Sequence, residues 1–327
     1  GFVYIRGALI VGVDYDDGID PLRGCVNDAH SVKAVLGRND GGDLNFDCSL
    51  LVATNESSSV KRSLLKDSIQ DLFERELDVA LFYFAGHGYL ESSGGYIMAS
   101  DSKRGDEGVS LSDILKYAND SPAKNKIIIL DSCHSGIAGD IPGEKIATLS
   151  DGVTILTAST KDQYSSEVNG RGLYTTLLVD ALNGSASDLR GEVTPGSVYA
   201  HIDQSLGAFE QRPVFKTNVK EFVSLRKITP PISEKKLRKI SEFFPLPGYE
   251  YNLDPTYEPE MRGRDEDMPG PIEEHTQVFA ILQEYNRLNL LKPVNADHMW
   301  NAAMESKSCK LTALGEHYRR LAEKDRI

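Results

Sequence analysis

The feature that most limits how this chain can fold is a series of short segments that are apolar from end to end. Five of them occur in the first half of the 327 residues, and stretches with helical periodicity lie between them. Strands of a parallel sheet have this composition, because helices cover both faces of such a sheet. We therefore predict parallel strands in ALIVGVDY (8–15), CSLLVAT (48–54), VALFYFAGHG (79–88), KIIILDS (126–132) and VTILTAST (153–160).

The segments between and after these runs carry helix signals. NDAHSVKAVLG (27–37) has a polar start and a glycine stop, and 59–74 places its apolar residues on one helical face. Two further helices are predicted in 172–184 and 194–207, followed by an edge strand in RPVFKTNV (212–219). The sequence thus predicts a doubly wound α/β domain over residues 1–225, with helices on both faces of the sheet.

The composition changes after this domain. Eight of the fourteen prolines fall between Pro230 and Pro271, which predicts a Pro-rich linker or extended wrap over 226–270. Residues 271–327 predict a small α+β module: an amphipathic helix in 275–291, a hairpin in 298–312 and a closing helix in 313–327. This module resembles the end of a winged-helix domain and is expected to bind a regulatory protein partner or dock on the first domain.

Charge and cysteine content narrow the class of protein. A net charge of −13 argues against nucleic acid or an anionic membrane as a partner. The apolar runs are too short to span a bilayer. The four cysteines, at 25, 48, 133 and 309, form no C-x-x-C pair, so free thiols in a reducing cytosol and a cytoplasmic location are expected.

Two of the predicted strands end in groups that can do chemistry. One ends in FAGHG, which places His87 between two glycines, and the other ends in LDSCHSG, which places Cys133 before a turn. Functional groups of open parallel sheets collect at the carboxyl ends of strands, so the two side chains can meet if their strands are neighbours. Each residue taken alone could equally serve packing or turn formation.

Together, His87 and Cys133 suit nucleophilic catalysis. An imidazole can take the proton of a thiol that is otherwise mostly neutral near pH 7, and can later protonate a leaving amine. The N–H groups of Gly88 and Cys133 could form an oxyanion hole for the developing charge. His134 follows the nucleophile directly, and neighbours on an extended chain point in opposite directions, so it is not the expected base.

The blocks YFAGHG and DSCHSG resemble the caspase-like cysteine peptidases, in particular the metacaspase and paracaspase branch. The resemblance covers residues 6–222 and includes 8–32, 158–167 and 172–182 in the family's order. It implies a caspase-like six-stranded, mostly parallel sheet, a His87–Cys133 dyad, and protein or peptide substrates in regulated cell death or defence. An α/β-hydrolase is the rival, but Asp131 stands where its elbow has glycine, and His87 precedes the nucleophile.

The same resemblance predicts which bond is cut. The residue before the scissile bond, called P1, occupies a pocket called S1. Leu22 stands where Asp-specific caspases carry an arginine, whereas the positions of Asp28 and Asp131 are acidic, as in metacaspase-like members. Two carboxylates would bind a guanidinium or ammonium group, so cleavage after Arg or Lys is expected. Helix capping for Asp28 and a turn role for Asp131 are the structural alternatives, and Arg23 could neutralise the pocket.

Further expectations concern the substrate groove and regulation. By resemblance, Ala158 and Ser159 pair with the substrate backbone, and Lys145 is a possible self-cleavage site in the connection between the two halves of the sheet. No cofactor is expected. The acidic residues at 14, 16, 17 and 20 could hold calcium but lack the EF-hand spacing, so a solvated loop is preferred. A catalytically silent, caspase-like adaptor remains the alternative function.

Overall fold

The structure is a computed structural model, and it describes most of the chain. The residues described are 5–14, 24–55, 57–91, 94–102, 108–133, 148–158, 167–168, 171–208 and 212–327, with only the backbone at 90, 91, 133, 167, 168, 171 and 172. The chain forms two compact units, Gly1–Thr229 and Pro230–Ile327. No helix within the described residues is long and apolar enough to cross a membrane.

The first unit is built on one large sheet. Six strands lie in the order β11-β7-β6-β3-β1-β2, parallel throughout except for antiparallel β11 at one edge, and β4 and β5 extend it from the end of β3. Two small pairs, β8–β9 and β10–β12, are separate. The strands are β1 (Arg6–Val13), β2 (Asp47–Ala53), β3 (Val79–Glu91), β4 (Gly94–Ile97), β5 (Val109–Ser110), β6 (Asn125–Cys133), β7 (Val153–Thr157), β8 (Glu167–Val168), β9 (Arg171–Gly172), β10 (Glu192–Val193), β11 (Val214–Thr217) and β12 (Arg226–Lys227).

Helices cover both faces of this sheet. They are α1 (Cys25–Leu36), α2 (Arg62–Glu74), α3 (Leu111–Asn119), α4 (Leu173–Asp180), which continues into a π-helical turn, and α5 (Pro195–Ser205). One core cluster packs α2 and α3 against one face, and the other packs α1, α4 and α5 against the opposite face. The mostly parallel, six-stranded sheet between two helical layers confirms the fold class expected from the sequence.

Strand β3 shows why an uninterrupted apolar run was needed. Its residues alternate between the two cores, so Phe82 and Phe84 face α2 and α3, while Leu81 and Tyr83 face α1, α4 and α5. All four side chains are completely buried. The central strand therefore has no solvent-facing side on which polar residues could alternate.

The second unit contains a three-stranded antiparallel sheet in the order β13-β15-β14 and five helices among its described residues. Phe244, Phe279, Leu282 and Tyr285 are among its fully buried side chains. Its elements are α6 (Glu234–Arg238), α7 (Ile240–Phe243), β13 (Glu250–Asn252), α8 (Glu273–Arg287), β14 (Leu291–Val294), α9 (Met299–Met304), β15 (Ser308–Leu311) and α10 (Ala313–Glu323).

Much of the Pro-rich segment belongs to this second unit and has short elements of its own. Arg264 orders the part that lacks regular structure, because its guanidinium donates to the carbonyl oxygens of Pro255 (2.8 Å), Glu260 (3.1 Å), Pro269 (2.7 Å) and Glu258. A buried or half-buried arginine that satisfies several carbonyls can replace the ladder bonds that prolines cannot make. The segment is thus held by side-chain bonds that proline content alone does not reveal.

The prediction of a hairpin in 298–312 is wrong. Met299–Met304 form α9, and only Ser308–Leu311 form a strand, which pairs with Leu291–Val294 on one side and Glu250–Asn252 on the other. The run MWNAAM consists largely of residues that suit a helix, and Met299, Ala302 and Ala303 are buried on one side of it. The amphipathic helix α8 and the closing helix α10 form as expected.

Helix α1 packs so closely on the sheet that Gly12 of β1 has no room for a side chain. A Cβ atom at this position would lie 2.4 Å from the Cys25 carbonyl oxygen and 2.8 Å from the Ala29 Cβ. We expect Gly12→Ala to lower the free energy of unfolding by about 1–3 kcal/mol, because the helix must shift. Urea unfolding measures the change. The control is Gly196→Ala in α5, where nothing lies within 4 Å; equal losses in both variants would contradict the close packing.

Candidate active site

The two residues proposed for catalysis are neighbours in the sheet. Strands β3 and β6 are adjacent and parallel, and His87 and Cys133 are Cα partners in their register. Both strands run in the same direction, so both residues lie at the carboxyl end of the sheet. The structure therefore brings together two positions that are 46 residues apart in sequence. At residue 133 only the backbone is described.

His87 lies where β3 leaves the main sheet. The residue is 7% exposed. Its carbonyl accepts from the Met98 N–H at 3.0 Å, and Gly88 is paired with Ile97 across β3 and β4. Hydrogen-bonded and non-hydrogen-bonded pairs alternate along an antiparallel ladder, so the Gly88 N–H points away from β4. This amide is therefore not used by the hairpin that follows the histidine.

Helix α1 carries Asp28, the first of the two carboxylates predicted to line the S1 pocket. Gly24 precedes it with a φ of 98°, a left-handed conformation that glycine adopts without strain. The Cys25 N–H donates to Asp14 Oδ1 at 2.8 Å, so a carboxylate from the end of β1 caps the helix start. Asp28 lies in the first turn of α1 and is 3% exposed. Asp14 therefore provides the side-chain cap, although Asp28 was the residue for which capping was considered.

The second predicted carboxylate, Asp131, lies two residues before Cys133 on β6. Thr175 Oγ1, in the first turn of α4, donates to Asp131 Oδ2 at 2.6 Å. Burial raises the pKa of Asp131, and the hydroxyl and backbone N–H of Thr175 oppose that shift. Within the described residues, no basic side chain forms an ion pair with Asp131.

Tyr83 is linked to Asp131 through Thr175 and is within the electrostatic influence of Asp28. Its hydroxyl lies 2.5 Å from Thr175 Oγ1. Burial raises the pKa of Tyr83 well above its ordinary value, and the negative charges of Asp131 and then Asp28 raise it further. Both carboxylates are thus electrostatic neighbours of one buried hydroxyl in the middle of the sheet.

Residues 87 and 131 share one face of the sheet. Along β6, Ile127 and Ile129 pack in the core under α1, α4 and α5, and residues 131 and 133 continue this alternation. Along β3, residues 83 and 85 pack in the same core, and residue 87 continues the series. His87 and Asp131 therefore lie at the carboxyl end of the face covered by α1 and α4, and the alternation along β6 predicts position 133 on the same face.

The remaining predicted site residues have different outcomes. Ala158 is fully buried in the core under α4 and α5, and its N–H donates to the Leu130 carbonyl at 2.9 Å. This N–H is therefore engaged inside the sheet and is not presented to a substrate backbone. Ser159 and Lys145 lie outside the described residues, as do Leu22, Arg23 and His134.

The calcium alternative concerns a segment that is mostly outside the described part of the chain. Of its four aspartates only Asp14 is described, and its carboxylate caps α1. Among the described residues, no three His, Cys, Asp or Glu side chains are grouped to hold a metal ion.

The sequence did not indicate a role in the site for three residues near Asp131. Tyr83 and Thr175 join the hydrogen-bond chain, and the charge of Asp131 contributes to the raised pKa of Tyr174, after burial. One signal existed for Tyr83, because it is a polar group inside an otherwise apolar strand and a buried hydroxyl needs a partner. Thr175 gave no signal, because only the packing of α4 against β6 brings it to Asp131.

Known proteins match the first unit. The caspase domain family matches residues 5–223. Metacaspase-2 of Arabidopsis thaliana is 28% identical over 154 residues, which cover 42% of this chain and 36% of that protein. Metacaspase-1 of Debaryomyces hansenii is 26% identical over 163 residues, covering 42% and 34%. The match spans about a third of the length of these relatives.

Solved structures show the same fold at low sequence identity. Protein GSU0716 from Geobacter sulfurreducens has a TM-score of 0.50 and 15% identity, covering 68% of this chain and 97% of that one. Caspase-1 from Spodoptera frugiperda also has a TM-score of 0.50, with 14% identity over 69% of this chain and 91% of its own. Both likenesses cover about the length of the first unit.

The raised pKa of Asp131 predicts a cost to stability at neutral pH. The folded state binds this proton more tightly than the unfolded chain does, so the stabilisation is present at acid pH and is lost as pH rises through the folded pKa. Asp131→Asn keeps an acceptor for Thr175 but removes the charge. We expect a higher unfolding midpoint than wild type at pH 7, with a gain that shrinks as the pH falls below the folded pKa of Asp131 and vanishes below about pH 4, where aspartate of the unfolded chain titrates.

Thermal unfolding between pH 3.5 and 7 measures this difference. Asp67→Asn, on the exposed face of α2, is the control and should leave the midpoint unchanged across the range. An Asp131→Asn variant that is less stable than wild type at pH 7 would contradict the cost that we assign to the buried charge.

Proposed function

Because the chain belongs to the caspase domain family, we propose that it is a cysteine endopeptidase that cleaves proteins after arginine or lysine. Membership in the family indicates a cysteine-type peptidase, which is a hydrolase. The observation that carries the proposal is the register pairing of His87 with Cys133, together with the buried Asp28 and the half-buried Asp131. The sequence motifs and the sheet register both support the choice of the first pair.

The proposed chemistry has two stages. His87 takes the Cys133 proton, the thiolate forms a bond to the scissile carbonyl carbon, and the carbonyl electron pair moves onto oxygen. The N–H groups of Gly88 and Cys133 stabilise that oxyanion. The intermediate then expels the amine, which His87 protonates. In the second stage His87 deprotonates a water molecule, which attacks the thioester and releases the carboxylic acid and the thiol.

Specificity for a basic P1 residue is supported by the charge of the site. Asp28 and Asp131 both act electrostatically on the buried Tyr83 hydroxyl; Asp28 is itself buried and Asp131 is half-buried. Bringing two carboxylates together in a partly buried region is unfavourable unless a cation accompanies them. A P1 guanidinium or ammonium would supply that cation, and a P1 aspartate would add a third negative charge.

Regulation is a further part of the proposal. Caspase-like enzymes suit roles in regulated cell death or defence, and the second unit, Pro230–Ile327, offers a separate surface for a regulatory protein partner. The acidic residues at 14, 16, 17 and 20 are the candidate calcium ligands, and we propose a metal-free reaction. A catalytically silent adaptor with the same fold is the second candidate, and peptide turnover separates it from the enzyme.

Turnover of fluorogenic peptides tests the proposed activity. We expect cleavage of peptides that end in Arg or Lys and none of the matched Asp peptide. Cys133→Ala should abolish turnover, and His87→Ala should lower kcat/KM by about 10²–10⁴, the usual contribution of a general base. His30→Ala is the matched control, because His30 is an exposed histidine on α1 and should leave kcat/KM unchanged.

Two results would overturn parts of this proposal. Turnover of the Asp peptide alone would contradict the basic specificity while leaving the peptidase assignment intact. Folded wild-type protein that turns over no peptide under any condition would favour the adaptor.

Self-processing gives an independent test. If the enzyme cuts after Lys145, intact mass spectrometry should show wild-type protein as two fragments, 1–145 and 146–327, and Cys133→Ala as one intact chain. Lys145→Gln should also remain intact while it keeps peptide turnover. A single intact species in both wild type and Cys133→Ala would contradict self-processing at this site.

A further inference from the structure

The hydrogen-bond chain from Tyr83 through Thr175 to Asp131 joins three elements of the first unit. Tyr83 lies on β3, Thr175 on α4 and Asp131 on β6. The two hydroxyl oxygens are 2.5 Å apart, and the threonine oxygen is 2.6 Å from Asp131 Oδ2. We infer that Thr175 is a positioning residue that holds Asp131 for recognition of the basic P1 side chain, with Tyr83 fixing the direction of its hydroxyl. This inference rests on the proposed function.

The number of protons available fixes which group donates in each hydrogen bond from Tyr83 to Asp131. An ionised carboxylate can only accept, so Thr175 Oγ1 must donate its single proton to Asp131. The tyrosine hydroxyl must then donate to the threonine oxygen. Tyr83 is completely buried, which prevents water from competing for this arrangement. The Thr175 hydroxyl therefore already donates its proton to Asp131 before a substrate binds.

The backbone N–H of Thr175 also acts on the same carboxylate. Thr175 is the third residue of α4, where backbone N–H groups have no acceptor within the helix. Its hydroxyl bonds to Asp131 at 2.6 Å and its N–H favours the ionised form, so both donors of one residue act on the carboxylate. Fixing an acidic side chain before binding reduces the ordering that the guanidinium must otherwise impose.

The same two donors favour the charged form of the carboxylate. Burial favours the protonated form of Asp131, and hydrogen bonds from Thr175 favour the ionised form. An ionised Asp131 attracts a P1 arginine, whereas a protonated one does so far more weakly. Thr175 thus acts on specificity through another residue, without contact to the scissile bond.

Peptides with arginine or citrulline at P1 test this role, because citrulline has nearly the shape of arginine without its charge. Wild type should prefer arginine strongly. Thr175→Val should lower the ratio of kcat/KM for arginine to that for citrulline by about tenfold, mostly through KM for the arginine peptide. Thr175→Ser keeps both donors and should restore the wild-type ratio. Tyr83→Phe should lower the ratio by a smaller factor.

Thr154→Val controls for the loss of a buried threonine hydroxyl. Thr154 Oγ1 lies 2.8 Å from Thr217 Oγ1, and the residue pairs with Ile127, four positions before Asp131 on β6. This variant should keep the wild-type arginine to citrulline ratio whatever it does to the unfolding midpoint. Thermal unfolding of each variant establishes that the compared proteins are folded.

The outcomes separate this inference from the proposed function. Wild type that does not distinguish arginine from citrulline overturns the basic specificity itself. Wild type that prefers arginine, together with Thr175→Val that keeps the same ratio, overturns the positioning role alone. Equal losses on both peptides in Thr175→Val would also overturn it, because they indicate a purely structural threonine. Should Thr175→Val not fold, an unchanged ratio in Tyr83→Phe overturns the assigned direction of the chain.

Discussion

The parallel pairing of β3 with β6 is the constraint on which the rest of this structure depends. It aligns two strands residue by residue from Val79 and Asn125 to His87 and Cys133. A shift of one residue would move one of the two polar ends to the opposite face of the sheet. The buried aromatic and aliphatic side chains of both strands pack into two different cores, and this packing opposes such a shift. The hydrophobic pattern thus sets the position of the polar groups.

Two helices that cover one face of the sheet contribute side chains to the candidate site. α1 carries Asp28, and α4 carries Thr175, whose hydroxyl donates to Asp131. Both contributions come from the first turn of a helix, where free N–H groups and the helix dipole favour negative charge. This arrangement explains how the fold tolerates two acidic residues in a region that is largely closed to water. A substrate cation would relieve the remaining cost.

The sequence was sufficient for the parts of the structure that depend on local pattern. Apolar runs predicted the parallel strands, polar residues at strand ends made His87 and Cys133 candidates, and the family resemblance pointed to Asp28 and Asp131. The roles of Tyr83 and Thr175 could not be read in the same way, because they arise from contacts between residues 92 positions apart. The order of the Pro-rich segment also escaped prediction, since one arginine, Arg264, supplies bonds to carbonyls that no local pattern indicates.

The central claim is that a reactive Cys133 lies beside an acidic pocket formed by Asp28 and Asp131. A crystal structure of the protein treated with a peptidyl-arginine chloromethyl ketone tests it most directly. The cysteine sulfur should displace chloride and form a thioether, and the guanidinium should lie about 3 Å from both carboxylates. Alkylation of a different residue, or a thioether at Cys133 with the guanidinium bound away from Asp28 and Asp131, would contradict the account.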